Sequence, residues 1–353
     1  MHARHNAAFT ALLAAALFGV TTPLAKTLLG SVSPFMVAGL FYLGSGVGLA
    51  IAIIVRRLLQ SAGERKNESR IKKEELPWLL GAIVAGGVAG PALLMVGLGT
   101  TAAATSSLLL NLEGVFTAVL AWVVFRENVD VQIFLGMVAI VAGGGLLSWQ
   151  AGNGGVAPGA LLVVAACAAW AIDNNLTRKV STNDAMVIAC LKGLVAGSVN
   201  LVIALLLGAH LPAFGTTLTA MLTGFAGYGV SLVLFVVALR NLGTARTGAY
   251  FSVAPIFGVM LSLFIWPELP SLNFWIAAAL MAVGIWLHIR ERHQHTHTHE
   301  PLAHNHPHKH DEHHQHTHDF EWDGVEPHTH PHQHTAITHS HAHFPDIHHR
   351  HSH

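Results

Sequence analysis

Glu113, Asp173 and Lys192 each stand within long apolar stretches of the sequence. A charge at the centre of a bilayer costs about 2.5–3.5 kcal/mol on insertion scales, so such a group must face the protein interior, a partner or a water-filled cavity. Glu113, close to Asn111, reads as a cavity carboxylate for an amine, another cation or a proton, or as a hydrogen-bonding strut between helices. Lys192 would meet an anionic substrate group or a carboxylate, or snorkel its ammonium towards the interface. Asp173, Asn174 and Asn175 combine a carboxylate with two amides, suited to substrate hydrogen bonds, to pairing with Lys192, or to capping a helix before Arg178. Lys26 lies near a helix end, where substrate contact competes with reaching the outer interface. Phe41, Tyr42, Trp170, Tyr228 and Tyr250 are candidate cavity-lining aromatics, with packing or lipid contact as the alternative for each.

A second chemistry lies at the C-terminal end. Only four of the 27 histidines precede residue 290. His-x-His runs recur at His293, His295, His297 and His299, at His304, His306, His308 and His310, at His328, His330, His332 and His334, and at His339, His341 and His343. Neutral imidazole is a ligand for zinc, nickel, cobalt and copper, and a reference pKa of about 6.5 leaves most of it unprotonated near neutrality. With two basic and eight acidic residues over 293–353, the segment also favours cations. This spacing points to many exchangeable sites rather than one closed centre. It does not select the metal, and low-complexity drift remains the alternative.

The elements that must hold these groups follow from hydropathy. Hydrophobic residues make up 52% and charged residues 11% of the 353, with a mean hydropathy of +0.50. A soluble domain carries roughly twice that charge, about 25%, so lipid must solvate most of the chain. Zero formal net charge gives no reason to expect a nucleic-acid partner. Cys167 and Cys190 both fall in apolar runs and read as small packing residues, with no disulfide framework.

Apolar segments long enough to span recur near 7–29, 34–55, 77–98, 103–125, 131–149, 157–177, 184–207, 217–239, 245–266 and 272–289. Crossing a bilayer takes about 17–25 residues, and helix is the form that satisfies every backbone group in lipid. The first segment imitates a signal peptide but lacks a clear small-x-small cleavage site, so it reads as an uncleaved helix. Lys and Arg fall on alternate connections: Arg56 to Lys73, Arg126, Arg178 with Lys179, and Arg240 with Arg246, flanked by Arg4 and Arg290/Arg292. By the positive-inside rule both termini are cytoplasmic in a bacterial inner membrane.

The chain repeats itself. An offset of 141 sets Glu127 on Glu268, Phe116 on Phe257, Ala104 on Ala245 and Gly86 on Gly227. An offset near 152 sets Phe18-Gly19 on Trp170-Ala171 and Lys26 on Arg178 or Lys179. Five helices per half is an odd number, so the halves are expected in opposite orientations, an arrangement typical of carriers. The expected architecture is therefore an all-α membrane protein of ten helices in two inverted repeats, 1–149 and 150–290, followed by a disordered tail, 291–353.

The signature run of helix four, Thr105-Ser-Ser-Leu-Leu-Leu-Asn-Leu-Glu-Gly-Val-Phe-Thr-Ala-Val-Leu, ends in Phe125-Arg126-Glu127. It is matched in the second half by Ala238-Leu-Arg-Asn-Leu-Gly-Thr-Ala-Arg and Val253-Ala-Pro-Ile-Phe-Gly. Both resemble the EamA-like repeats of the drug/metabolite transporter superfamily, over roughly residues 7–290. The resemblance implies a ten-helix secondary carrier, often an exporter of amino acids or other small metabolites. The family's helix-four motif usually reads Glu-Pro. This chain has Glu113-Gly114, keeps the proline at Pro255, and places Ala254 where Glu113 would be matched.

The expected function is a gradient-coupled carrier for a small polar metabolite, without catalysis or a transport cofactor. Glu113, Asn111, Asp173, Asn174 and Lys192 would bind substrate, and the tail would bind zinc, nickel, cobalt or copper. A transition-metal exporter is the alternative, although the membrane part holds no intramembrane histidine: His210 falls in a loop and His288 at a helix end. A non-transporting metal sensor or scaffold is the third reading. No phosphate-binding glycine loop and no nucleophile–base arrangement occurs.

Overall fold

In the computed structural model, residues 2–59, 71–125, 131–150, 155–180, 183–242, 247, 250–267, 269–289, 294–299, 303–308, 328–333 and 337–342 are described. Arg65, Lys66, Arg70, Arg126, Glu127, Arg246, Glu268, Arg290 and Arg292 lie outside them, as do His293, His310 and His334. The chain separates into two compact units, Met1–Arg290 and Glu291–His353.

The first unit is helical. In order it holds α1 (His2–Gly19), α2 (Thr21–Leu28), α3 (Pro34–Leu59), α4 (Leu76–Ala82), α5 (Gly90–Thr100), α6 (Ala103–Leu109), α7 (Leu112–Phe125) and α8 (Val131–Ser148). It continues with α9 (Pro158–Thr177), α10 (Ala185–Leu206), α11 (Phe214–Gly224), α12 (Ser231–Leu242), α13 (Ala254–Ile265) and α14 (Leu272–Ile289). Between α8 and α9, β1 (Trp149–Gln150) pairs antiparallel with β2 (Gly155–Val156). Among the described residues eight helical spans are long and apolar enough to cross a membrane, and Ala254–Ile265 and Leu272–Leu287 are shorter apolar helices.

Three of the expected continuous helices are broken. The first divides at Val20, before Pro23. The fourth divides between α6 and α7 at Leu110 and Asn111. The ninth turns at Ser252 and Val253, after helical Tyr250 and Phe251, and resumes at Ala254 with Pro255 in the first turn, where a missing N–H costs nothing. Two further spans change pitch without breaking: π-helical turns run over Ile83–Ala89 between α4 and α5, and over Phe225–Val230 between α11 and α12. Each is glycine-rich, and the first leads into Pro91, whose ring clashes with a normal i−4 carbonyl.

Packing relies on small residues, because lipid removes the hydrophobic drive between helices and leaves close van der Waals contact. The longest helix contact, α3 on α10, is built this way. A Cβ added at Gly193 would lie 2.5 Å from the Gly46 nitrogen, and one at Gly197 2.5 Å from the Leu43 nitrogen, so backbone passes against backbone. Elsewhere α8 pairs with α14, α6 with α13, and α9 with α5 and α7. The first π turn packs against α9 and α10, and the second against α1 and α3. Cys167 and Cys190 are buried free thiols, as their apolar settings led one to expect.

The second unit corrects the expectation of a disordered tail for four segments. β3 (Gln294–His299) pairs with β6 (Ile337–Ala342), and β4 (Ala303–His308) with β5 (His328–Gln333), both antiparallel. Histidine at every second position, with Thr, Ser, Asn or Pro between, supplies a period of two over most of these segments that composition alone does not reveal.

Candidate functional site

Asp173 lies one turn before the end of α9, and Lys192 two turns into α10. Both helices pack on the first π turn, and across it carboxylate and ammonium meet. Lys192 Nζ donates to Asp173 Oδ1 and Oδ2, both at 2.6 Å. Thr177, one turn after Asp173, donates its hydroxyl to Oδ1 at 2.8 Å and lies 3.4 Å from the ammonium. The two charged side chains retain only 12% and 8% of their surface. Burial of such groups costs desolvation, which the direct contact between them and the added hydrogen bond offset.

The first π turn forms the floor of this pair. A side chain at Gly86 would overlap the Asp173 carboxylate, so glycine is required for the close approach. The same residue's carbonyl, displaced by the π pitch, accepts from the Tyr42 hydroxyl at 2.8 Å and from Trp170 Nε1 at 2.9 Å. Asn200 on α10 donates to the next carbonyl, Gly87, at 3.2 Å. Tyr42 also stacks towards Tyr228 on the second π turn, with ring centroids 5.1 Å apart.

Glu113 opens α7, where the helix N-terminus favours a carboxylate. Asn174 donates to its Oε1 at 2.8 Å and reaches the Thr117 hydroxyl at 3.4 Å. Asn175 turns to backbone, donating to the Ala171 carbonyl at 2.9 Å and the Thr117 carbonyl at 3.5 Å.

Four of the five substrate residues expected from sequence thus fall into two neighbouring pairs, Asp173–Lys192 and Glu113–Asn174, joined through consecutive positions on α9. Asn111 does not join them. Its amide donates to the Leu108 carbonyl at 3.0 Å and faces Met281 Sδ at 3.8 Å, in keeping with positions two apart along a helix, which point to different sides. Lys26 is also apart: it caps the end of α5, donating to the carbonyls of Leu98 at 2.6 Å and Gly99 at 3.1 Å. A cavity of about 470 Å³ opens beside it, lined by Lys26, Thr27, Leu29, Gly30, Gly99, Ile265 and Trp266, away from both pairs.

Of the aromatics, Tyr42, Trp170 and Tyr228 gather at the π turns, Phe41 is fully buried beside Tyr228, and Tyr250 is exposed. Sequence reading missed Thr117, Thr177 and the acceptor role of Gly86. The threonines carried a signal, since each stands four positions from a charged site residue on one helix face. The Gly86 carbonyl carried none, because a π turn frees it.

The expected metal positions His295, His297, His299, His304, His306, His308, His328, His330 and His332 all lie on the tail strands. Among the residues whose side chains the structure describes, which leave out the tail strands, no group of three His, Cys, Asp or Glu side chains gathers as a metal site.

The sequence pattern of the EamA-like transporter family matches this chain twice, over residues 5–149 and 157–290. An uncharacterized transporter of Methanothermobacter thermautotrophicus (strain Delta H) is 30% identical over 286 residues, covering 76% of this chain and 82% of the relative. The uncharacterized transporter YyaM of Bacillus subtilis (strain 168) is 23% identical over 277 residues, covering 73% and 86%. A solved crystal structure of 20% identity shares the fold with a TM-score of 0.59, covering 80% of this chain and 95% of the other.

Proposed function

The chain belongs to the EamA-like transporter family, and from that premise we propose that it is a secondary carrier moving a small polar metabolite, in the outward direction, across the bacterial inner membrane. The observation that carries this reading is the Asp173–Lys192 pair with Glu113–Asn174 beside it, three ionisable groups inside membrane-spanning helices. Such groups are costly in lipid and are retained where they line a path for solute or ions.

Alternating access follows from two halves of five helices, 1–149 and 150–290, set in opposite orientations, with both termini cytoplasmic. The double family match supports it. So does the packing: the first π turn lies against α9 and α10 as the second lies against α1 and α3, and both the fourth and ninth spans are interrupted. The two shorter apolar helices complete ten crossings when added to the eight long ones. In the empty carrier Asp173 and Lys192 neutralise each other. A substrate with a charged group of either sign competes for one partner, and its arrival opens the pair while Glu113 and Asn174 hold a second polar group.

In this reading the tail acts separately from the carrier, binding zinc, nickel, cobalt or copper so as to buffer the metal or sense it. Export of the metal itself is a second reading, supported only by the tail's histidine runs. A non-transporting sensor is the third. Metabolite efflux and metal tolerance, compared in deletion and overexpression strains with and without residues 291–353, separate them. Metabolite efflux that persists without the tail supports the carrier. Metal tolerance that rises with expression and needs the membrane unit supports metal export. Proteoliposomes that move no solute in a broad screen overturn both carrier readings.

A further inference from the structure

The tail strands carry a relationship that histidine content does not predict. In the β3–β6 ladder His295 stands opposite His341 and His297 opposite His339. In the β4–β5 ladder His304 stands opposite His332, His306 opposite His330 and His308 opposite His328. Every pair in both ladders is equidistant from position 318, so one hairpin register serves the two. The histidine runs shift from odd to even positions between His299 and His304, and shift back between His334 and His339. The two shifts lie on either side of that centre. A one-residue slip would set the facing histidines against Thr, Ser, Ala, Pro or Gln instead.

The residues between the histidines fit the same register. Thr296 faces Ser340 and Thr298 faces Thr338, so the alternate positions of the outer ladder are hydroxyl residues suited to strands. In the inner ladder Asn305 faces Pro331 and Pro307 faces Thr329. Both prolines therefore fall on the same alternate class of pair. In an antiparallel ladder one class of pair exchanges both N–H···O bonds and the other exchanges none. Prolines confined to the non-bonded class remove no ladder bond, which assigns the bonded class to the histidine pairs of the inner ladder.

We propose that these facing histidine positions make each ladder a binding site for divalent transition-metal ions, with each ion shared between the two strands. Directly opposite residues share a face with Cβ atoms about 4.5–5.5 Å apart, and the next pair follows two residues along, about 6.5–7 Å away. Two successive pairs thus place four imidazole-bearing positions around one point, the ligand number and type that zinc and nickel accept. His304, His306, His330 and His332 form one such set, and His295, His297, His339 and His341 the other. Ligands drawn from both strands couple metal binding to closure of the hairpin. A string of independent His-x-His sites has no such coupling. This inference rests on the reading of the tail as a metal binder and adds which histidines act together.

Equilibrium dialysis of the full-length protein against Ni²⁺ and, separately, Zn²⁺ tests it. His306→Ala and His330→Ala, the middle facing pair that any two successive pairs of the inner ladder must include, are each expected to remove the same bound ion, and the double variant to remove no more than either alone. His306→Ala combined with His297→Ala, one from each ladder, is expected to remove two. Losses that follow the number of histidines removed, whichever positions are chosen, overturn the cross-strand sites while leaving the tail a metal binder. A full-length protein that retains neither ion at micromolar concentration overturns the metal reading of the tail together with this inference.

Discussion

The ammonium of Lys192 sits 2.6 Å from both oxygens of Asp173, and the backbone of Gly86 leaves no room for a side chain beneath that carboxylate. A helix-to-helix ion pair is thereby seated on a π turn. Losing either partner strands a charge, and crowding the seat displaces the pair.

The first consequence concerns stability. Removing one member of a buried pair costs about 3–5 kcal/mol, while removing both is close to neutral. Lys192→Met is expected to lower the melting temperature of the purified protein in detergent. The double variant Lys192→Met with Asp173→Leu should recover most of that loss without recovering transport. Thermal unfolding beside solute counterflow in proteoliposomes checks both halves.

Gly86 and Gly114 make a controlled comparison. A methyl at Gly86 meets the Asp173 carboxylate, whereas nothing lies within 4 Å of one at Gly114. Gly86→Ala should cut transport at least tenfold. Gly114→Ala should leave transport unchanged and stabilise α7 slightly, by about 0.5–1 kcal/mol, because alanine loses less backbone entropy in a helix.

Glu113→Gln keeps an oxygen for Asn174 to donate to, removes the charge and puts an NH₂ in place of the second oxygen. If Glu113 carries a proton or a cationic substrate group, transport falls at least tenfold at unchanged expression, and its pH dependence flattens. Unchanged transport with an unchanged pH profile would remove Glu113 from the mechanism. Asn111→Ala should be mild, since its amide serves a local carbonyl.

Metal held by the tail should be released on acidification. Protonation takes the imidazole lone pair that binds metal, so affinity falls as pH drops through about 6.5. Nickel retained at pH 7.5 should be lost by pH 5.5, as read by dialysis. Removing residues 291–353 should abolish retention and leave metabolite transport in place.

Hydropathy alone determined that this chain lives in lipid, and the positions of its apolar runs located the helices, since a backbone in hydrocarbon must bond to itself. The sequence also marked Glu113, Asp173 and Lys192, because an uncompensated charge in such a run is costly wherever it faces. It could not say which partners they choose. Asn111 and Glu113 are close in sequence, yet their amide and carboxylate take different partners, Leu108 and Asn174. Lys192 and Asp173 are 19 residues apart and meet where α9 and α10 both pack on the first π turn. The carbonyl of Gly86 became an acceptor for Tyr42 and Trp170 only through a π pitch that no single residue encodes. In the tail the reverse held: composition pointed to disorder, while the mirror spacing of the histidines already contained the register that the paired strands make visible. Local chemistry is written in residue types and periods. Which groups share a site depends on where separate helices and strands come together, and that is decided by packing.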